Sequence, residues 1–382
     1  MRVPAIHRAV AVLATAGLVI TMSACGSSKK AAESGKSDAA TATSAAGFGG
    51  MEGLIAAAKA EGQLNVIALP RDWANYGELI DTFGTKYGIK VNSDNPDGSS
   101  QDEINAVKNL KGQDRAPDVL DVGGAFAISG AQEALFAPYQ VAGYGDIPAD
   151  QKAPDASWYY DYGGFISIGC DAKRVAVCPQ TIADLAKPAY KGKVALNGDP
   201  TKAGAAFAGV YAAALANGGS FDNIQPGIDY FAKLKKSGNF IPVEATPATV
   251  EKGETPITLD WDYLQAGYAV EFATKGVDWK VAVPSDGLYG NFYCQAISKF
   301  APHPAAARLW EEFLYSDEGQ NLWLKGKARP VRMPAMTTAG TVNADYAKAL
   351  PQVAGAAKFP TQDQVAAAKT VLTEAWSKAM TG

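Results

Sequence analysis

Short apolar strands alternate with amphipathic helices through most of this chain, and that order constrains the fold more than any other feature. Residues 64–69 (LNVIAL) and 118–122 (DVLDV) predict buried strands, while residues 74–87 and 101–110 carry apolar side chains at helical spacing. Strands that alternate with helices predict parallel, doubly wound sheets. Ligands of such sheets bind beyond the carboxyl ends of the strands.

The length of the chain indicates more than one folded unit. A chain of 382 residues, 47% of them hydrophobic, fits two globular lobes better than a single core. Residues 158–169 (WYYDYGGFISIG) predict the crossing from the first lobe to the second, and residues 289–298 predict the return. We therefore expect an α/β protein with two doubly wound lobes joined by two hinge strands, which permits closure around a ligand.

The two crossings also predict how the chain is divided. Residues 51–165 would form the first part of lobe one, and residues 166–289 would form lobe two. Residues 290–382 would return to lobe one and complete it. A helix over residues 362–380 should pack on lobe one.

Composition and charge argue against several classes of function. The formal net charge is −4, and no basic run or basic face with interleaved aromatic residues suggests a nucleic-acid partner. The chain has two histidines, His7 and His303, so a Ser-His-Asp triad or a histidine-based metal site would depend on His303 alone. We expect neither catalysis nor a metal or other cofactor.

The N-terminus resembles an export signal followed by a lipid attachment site. Arg2 and Arg8 precede an apolar stretch over residues 9–22. This stretch is shorter than the roughly 20 residues that are needed to span a membrane. Residues 22–25 (MSAC) resemble a bacterial lipobox, so residues 1–24 should be a signal peptide and Cys25 should carry the lipid. An ordinary secretory signal with an incidental Cys25 is the alternative. Residues 25–50 contain few large apolar side chains and predict a flexible linker.

Residues 290–323 combine a predicted strand with a predicted helix. Aromatic and aliphatic residues begin the segment, and Pro302 and Pro304 precede an apolar helical stripe. The run AISKFAPHPAAARLWEEFLYSDEGQNLWLKGKARPVR resembles a segment of the extracellular solute-binding proteins of ABC importers. The resemblance is to the iron, polyamine, thiamine and phosphonate group, which has the type-2 periplasmic-binding fold. It extends from about residue 54 to the C-terminus.

This resemblance implies a receptor that performs no bond chemistry. Such a protein would capture a small solute between its lobes and present it to an ABC permease in the membrane. We expect a monomer that is held outside the cytoplasm, at the cell envelope, by its lipid. An enzyme on the same fold is the alternative of another class, and a surface sensor or adhesin that has lost transport is a third.

Acidic and aromatic residues follow several predicted strands or lie near the predicted hinges. Carboxylates neutralise a cation and aromatic faces attract it, which favours an organic cation such as a polyamine or a thiamine-like compound. Residues 260–262 (DWD), at the end of a strand in lobe two, are the most suggestive group. The candidate ligand-binding residues are Arg71, Asp72, Trp73, Gly124, Tyr160, Asp199, Asp260, Trp261, Asp262, Asp286 and Tyr289.

Other interpretations of these residues stay open. Asp262 could cap the following helix while Trp261 packs in the core, and Asp199 could cap the helix that it precedes. Arg71 equally allows a phosphonate, a carboxylate or a zwitterion as ligand. Ferric-binding relatives use adjacent tyrosines late in the chain, whereas Tyr289 and Tyr293 are not adjacent, so a direct ferric site is not expected.

The cysteines predict one disulfide. Cys170 and Cys178 are eight residues apart, and an extracytoplasmic location permits them to pair. Two unpaired thiols are the alternative. Cys294 lies on a predicted strand with apolar neighbours and should be a buried thiol.

Overall fold

The computed structural model describes residues 38–354 and 359–381. The predicted signal peptide, Cys25 and the first part of the predicted linker lie outside the described residues. Within the described ranges, no helix has both the length and the apolar character that crossing a membrane requires.

Ten strands are described, and five of them follow one another across the main sheet in the order β3-β9-β5-β7-β6. Strands β4 and β10 add to the lobe-one side, β8 adds to the lobe-two side, and β1 and β2 form a separate parallel pair. The strands are β1 (Gln63–Ile67), β2 (Lys90–Asp94), β3 (Val119–Gly123), β4 (Phe136–Ala137), β5 (Tyr159–Asp171), β6 (Val194–Leu196), β7 (Ile257–Trp261), β8 (Trp279–Ala282), β9 (Gly290–Ser298) and β10 (Arg329–Pro330).

Helices cover both lobes, and most of them connect consecutive strands. Several end at a glycine with positive φ, such as Gly62 and Gly88, which stops the helix without strain. The helices are α1 (Met51–Glu61), α2 (Tyr76–Tyr87), α3 (Ser100–Asn109), α4 (Gly124–Gln132), α5 (Gly204–Ala216), α6 (Gln225–Ser237), α7 (Pro247–Lys252), α8 (Asp262–Thr274), α9 (Pro304–Leu314), α10 (Asp317–Lys325), α11 (Met333–Ala339), α12 (Ala344–Lys348) and α13 (Gln362–Thr381).

Strands β5 and β9 are the two crossings between the lobes. The start of β5 pairs with β9, and its end pairs with β7 and β8 of lobe two. The α/β class and the two hinge strands are therefore confirmed. The expectation of uniformly parallel sheets is wrong, because β5 leaves lobe one while β9 returns to it and the two strands run antiparallel. Parallel pairing is kept in β1–β2 and in β6–β7.

Residues 38–50 do not behave as the predicted linker. Ala39 and Ala42 are buried, and the guanidinium of Arg308 on α9 donates to the carbonyl oxygens of Ala40 and Ala42 at 2.8 and 2.7 Å. The backbone N–H of Gln140 also donates to the carbonyl of Thr43. The segment lacks large apolar side chains, but alanine methyl groups and backbone carbonyls hold it on lobe one.

The C-terminal helix α13 packs on both lobes rather than on lobe one alone. Trp376 packs edge to face against Phe231 and Phe240 of lobe two, with ring centroids 5.8 and 6.4 Å apart. The ammonium group of Lys369 lies 3.9 Å from the ring centroid of Phe126 in lobe one and donates to the carbonyl of Thr201 in lobe two. Helix α13 is therefore a third link between the lobes.

The predicted disulfide between Cys170 and Cys178 is present at the end of β5, with the two Cα atoms 5.8 Å apart. Cys294 is a free, buried thiol on β9, as predicted. The disulfide closes the loop that opens lobe two, so its main effect is to restrict that loop in the unfolded chain.

Replacing Arg308 by Met should release residues 38–50 from lobe one. Arg308 is 1% exposed, and its removal leaves two backbone carbonyls without their donor. Hydrogen bonds to a charged group contribute about 1.5–3 kcal/mol each, so we expect the free energy of unfolding to fall by about 2 kcal/mol or more. Urea unfolding and amide exchange across residues 38–50 would measure this. Arg115→Met, on an exposed arginine, is the control; unchanged exchange in both variants would contradict the assignment.

Candidate functional site

A cleft with a volume of about 480 Å³ lies between the two lobes. Lobe one contributes the segments after β1 and β2, the start of α3 and Asp121 within β3. Lobe two contributes the segment after β6, the starts of α5 and α7, and Tyr268 of α8. Tyr293 on the crossing strand β9 lies at the junction. The lining residues are Ala68, Pro70, Asp72, Trp73, Asp97, Gly98, Ser99, Ser100, Glu103, Asp121, Asn197, Ala203, Gly204, Ala205, Glu244, Ala245, Thr246, Pro247, Ala248, Tyr268 and Tyr293.

The local sequence explains why these segments reach the cleft. Strand β1 ends before Pro70, which has no N–H with which to continue a strand, so residues 70–73 turn out of the sheet. Helices α3 and α7 each begin with a capping box, led by Ser99 and Thr246 respectively, and both caps face the cleft. The site is thus built at strand ends and helix starts, as the doubly wound pattern predicts.

The lining of the cleft is acidic. Five carboxylic residues border it, and no lysine or arginine is among the lining residues in the described part of the chain. Glu103 and Asp121 are buried, 1% and 5% exposed, whereas the other three lie toward solvent on the rim. The five are Asp72, Asp97, Glu103 and Asp121 from lobe one and Glu244 from lobe two.

Hydrogen bonds fix an aromatic corner of the cleft. The indole N–H of Trp73 donates to the hydroxyl oxygen of Tyr162 at 2.8 Å, and that hydroxyl donates to Oδ2 of Asp121 at 2.7 Å. Trp73 also packs edge to face on Tyr293, with ring centroids 5.6 Å apart. Trp73, Asp121 and Tyr293 therefore hold fixed positions around the same end of the cavity.

Burial shifts the protonation of the acidic side chains. It raises the pKa of Asp121 to about 7, and it raises the pKa of Glu103 well above its usual value. The pKa of Asp72 is also raised, because neighbouring protein atoms at the rim partly desolvate its carboxylate although the residue as a whole is exposed. The carboxylate of Glu103 accepts the backbone N–H of Asp121 at 2.9 Å, which partly offsets the desolvation. The floor of the cleft thus carries less negative charge at neutral pH than its composition suggests.

The two lobes touch behind the cleft. A Cβ atom added to Gly123 at the end of β3 would lie 3.2 Å from the Cα of Gly204 at the start of α5. A second, much smaller cavity of about 10 Å³ lies beside this contact and is bordered by Gly124, Trp261 and Tyr289 among others. This volume corresponds to about one water molecule.

The predicted site residues fall into three groups. Asp72 and Trp73 border the main cleft. Gly124, Trp261 and Tyr289 border the small cavity behind it instead. The other six lie outside both linings, and their polar groups are bound within the protein or lie at the surface.

Three of those six are held by charged or backbone partners. Arg71 forms an exposed ion pair with Asp81 at 2.6 Å. Asp262 is buried and pairs with Arg329 at 2.7 Å, and it also accepts the N–H of Phe165. Asp286 accepts the backbone N–H groups of residues 182 and 183, each at 3.0 Å.

The remaining three have packing or turn positions. Tyr160 is buried and stacks on Phe292 with centroids 5.3 Å apart. Asp199 is exposed and accepts from the N–H and hydroxyl of Thr201, which closes a turn. The capping alternative for Asp199 is wrong, because α5 has Ala203 as its N-cap and no side chain caps it. Asp260 lies directly behind the cleft, where Asn197, a lining residue, donates to it at 2.8 Å. Burial raises the pKa of Asp260 to about 7.

Sequence reasoning missed most of the acidic lining. Glu103 and Val107 are four residues apart and therefore lie on the same face of their helix. An acid on the apolar face of a helix is expected to be buried. Asp121 interrupts an otherwise apolar strand in the same way. Asp97 and Glu244 lie in loops and give no comparable signal. In the described residues, no group of three or more His, Cys, Asp or Glu could hold a metal ion.

Solved structures of several binding proteins share this fold. The periplasmic binding protein AfuA of Actinobacillus pleuropneumoniae, with fructose-6-phosphate bound, matches with a TM-score of 0.66 and 18% identity over 84% of this chain and 99% of its own. The ferric binding protein of Campylobacter jejuni matches with a TM-score of 0.62 and 18% identity over 83% of this chain and 99% of its own. Iron-bound HitA of Pseudomonas aeruginosa matches with a TM-score of 0.58 and 19% identity over 81% and 97% of the respective chains.

Sequence similarity gives the family. No curated protein matches this chain. The model of the family described as bacterial extracellular solute-binding protein matches residues 114–364, about two thirds of the chain. Proteins of this kind bind small molecules outside the cytoplasm for ABC transport. The two hinge strands, the cleft between the lobes and this match together show that the chain belongs to the bacterial extracellular solute-binding proteins.

Proposed function

We propose that this protein is the lipid-anchored, monomeric receptor of an ABC importer and that it captures an organic cation in the cleft between its lobes. The observation that carries the proposal is the lining: five carboxylic residues and, in the described part of the chain, no lysine or arginine. An anionic ligand in such a cleft would meet acids and no compensating basic side chain. A cation would be neutralised by them.

The aromatic lining supports the same class of ligand. Trp73, Tyr268 and Tyr293 border the cavity, and the first and last of these pack against each other. Ring faces attract a partly desolvated ammonium group by about 0.5–2 kcal/mol each. Acids together with rings favour a polyamine-like or thiamine-like compound, whose charge is carried on an apolar skeleton.

Phosphorylated or other anionic solutes form the second candidate. Three helix starts, those of α3, α5 and α7, contribute to the lining, and helix N-termini attract anions. The solved structure of AfuA contains a sugar phosphate. The acids on both lobes weigh against such a ligand here, since an anion near Glu244 or Asp72 would be repelled.

Closure would follow from the two hinge strands. A solute that contacts Asp72 on lobe one and Glu244 on lobe two interacts with both walls only when the lobes approach, so it stabilises the closed form. The closed form would then be the one that the permease recognises. No bond is made or broken, and the solute should be recovered unchanged from denatured protein.

Calorimetry with a panel of solutes would test the proposed ligand class. We expect at least one of putrescine, spermidine and thiamine to bind, with an affinity that falls as salt rises because the attraction is partly screened. Fructose 6-phosphate, methylphosphonate and ferric citrate form the opposing arm. Binding by a member of that arm, with none of the three cations bound, would overturn the proposal.

Removing single rim charges should weaken cation binding only modestly. Asp72 and Glu244 are exposed to solvent, and exposed charge pairs contribute less than about 1 kcal/mol, so Asp72→Asn and Glu244→Gln should each raise the Kd by about two- to fivefold. Asp81→Asn is the matched control, because Asp81 is also exposed on lobe one but pairs with Arg71 outside the cleft. Equal effects from Asp72 and Asp81 would show that the cleft acids do not contact the ligand.

A bulky side chain at the contact between the lobes should oppose closure. A Cβ on Gly204 would lie 3.1 Å from the hydroxyl of Tyr293 and 3.4 Å from the Cα of Gly123, so Gly204→Val should hold the lobes apart. We expect at least tenfold weaker cation binding and a larger radius of gyration by small-angle scattering. Gly145→Val is the control, because nothing lies within 4 Å of a Cβ there. If Gly204→Val binds with normal affinity, closure does not require the close contact between Gly204 and Gly123.

A further inference from the structure

Asn197 presents an unpaired amide oxygen to the cleft from the wall of lobe two. It follows β6, borders the cavity and is half-buried. Its Nδ2 donates to Oδ2 of Asp260 at 2.8 Å, behind the lining. Its Oδ1 accepts no hydrogen bond from the described residues, and it is not among the polar atoms that the protein encloses without a partner. This oxygen is therefore open to a donor that enters the cleft.

The orientation of this amide is fixed by the buried carboxylate of Asp260. Asp260 is 3% exposed, and its Oδ1 accepts the backbone N–H of Trp261 at 2.7 Å. An ionised carboxylate can only accept hydrogen bonds, so the group that Asn197 turns toward Asp260 has to be its NH2. The amide oxygen leaves the same carbon in another direction, toward the cavity. Asp260 thus fixes the amide oxygen of Asn197 as an acceptor for the solute.

A carboxylate lies beside this acceptor. The backbone N–H of Ala245 donates to the carbonyl of Leu196 at 2.9 Å, which places Glu244 next to Asn197. A Cβ on Gly198 would lie 3.8 Å from Oε1 of Glu244. The wall of lobe two therefore offers a cationic group two different contacts, a negative charge at Glu244 and a hydrogen-bond acceptor at Asn197.

We infer that Asn197 selects a cationic group that carries an N–H, so that the solute is a protonated amine rather than a quaternary ammonium compound. This inference rests on the proposed function, because it narrows the class of cation within the same cleft. The N–H would donate to Oδ1 of Asn197 while Glu244 neutralises the charge, and Asp260 would act as a positioning residue. A polyamine meets this requirement at every nitrogen, whereas the charged ring nitrogen of a thiamine-like compound carries no hydrogen.

The other features of the lining do not separate these two kinds of cation. The rings of Trp73, Tyr268 and Tyr293 attract a quaternary ammonium group as well as a protonated amine. The rim carboxylates are exposed, so water can satisfy their oxygens when the cation has no N–H. A half-buried acceptor that is held in one orientation is different. It is left unpaired by a ligand without an N–H, and such a site rejects that ligand.

Two derivatives of putrescine of nearly equal size would test the inference. The N,N,N′,N′-tetramethyl derivative keeps one N–H on each nitrogen, whereas the hexamethyl derivative has the same charge and no N–H. Calorimetry on the full mature chain at about pH 8 keeps Asp260 ionised, because burial raises its pKa to about 7. We expect the tetramethyl derivative to bind wild type more tightly by about tenfold or more, since a charged hydrogen bond is gained.

Variants of the Asn197–Asp260 pair should remove this preference. Asn197→Leu has no polar atom, so the affinities for the two derivatives should lie within about twofold of each other. In Asp260→Asn, the amide oxygen of residue 260 would keep the N–H of Trp261 and its NH2 would face Asn197. Asn197 would then turn its oxygen away from the cleft, and the preference should again be lost. A purely structural role of Asp260 would weaken both derivatives equally.

Asn105→Ala is the control for these variants. Asn105 is exposed on α3, and its amide oxygen accepts from Gln101 outside the lining of the cleft. We expect this variant to keep the full preference for the tetramethyl derivative.

The possible failures are distinguishable. If no cation binds wild type, the proposed function fails and this inference fails with it. If both derivatives bind wild type equally, or if Asn197→Leu and Asp260→Asn keep the full preference, the inference alone is overturned. If putrescine binds but neither derivative does, Asn197→Leu has to weaken putrescine by about tenfold, and an unchanged affinity overturns the inference. Should a variant not fold, as shown by circular dichroism, the comparison of the two derivatives in wild type decides the question.

Discussion

The antiparallel pairing of β5 with β9 is the contact on which the rest of the structure depends, because it joins the lobes and positions the cleft. The pairing contains an irregularity between Tyr160 and Gly163, where β5 passes from one lobe toward the other. A Cβ on Gly163 would lie 2.3 Å from the carbonyl oxygen of Asn291, and one on Gly164 would lie 2.2 Å from Oδ1 of Asp262. Only glycine permits the close approach of β5 to β9 at residue 163 and to the start of α8 at residue 164. The Gly-Gly pair within WYYDYGGFISIG is therefore a requirement of the crossing and not a flexible joint.

The strands and helices were predictable from the sequence, whereas the site was not. Strands, helix starts and both crossings depend on residues that are neighbours in sequence, so their patterns are visible there. The role of an acid depends on partners that are distant in sequence. Asp262 is bound by Arg329, 67 residues away, and Asp286 by backbone N–H groups 104 and 103 residues away. No local pattern separates such acids from Asp72, which remains available to the cleft.

Two expectations are wrong because contacts with residues distant in sequence, and not local composition or helical pattern, decide where a segment packs. Residues 38–50 have the composition of a linker, yet Arg308 binds their carbonyl groups. Helix α13 has the pattern of a lobe-one helix, yet Trp376 places its C-terminal half on lobe two. The sequence does contain a signal for the two buried acids. Glu103 lies in the apolar stripe of a helix, and Asp121 lies in an otherwise apolar strand. Buried acids interrupt apolar periodicity, and they do so here at the floor of the cleft.

Helix α13 limits how the lobes can move about β5 and β9. Its C-terminal half is fixed to lobe two by the packing of Trp376 on two rings, which is directional and tight. Its N-terminal half meets lobe one through the ammonium of Lys369 over the ring of Phe126, an attraction that tolerates lateral displacement. Burial lowers the pKa of Lys369 to about 8, which weakens this contact further as pH rises. Hinge motion about β5 and β9 therefore has to be accompanied by a change at the contact of α13 with one of the two lobes, and the contact at Phe126 is the one that rests on a charge.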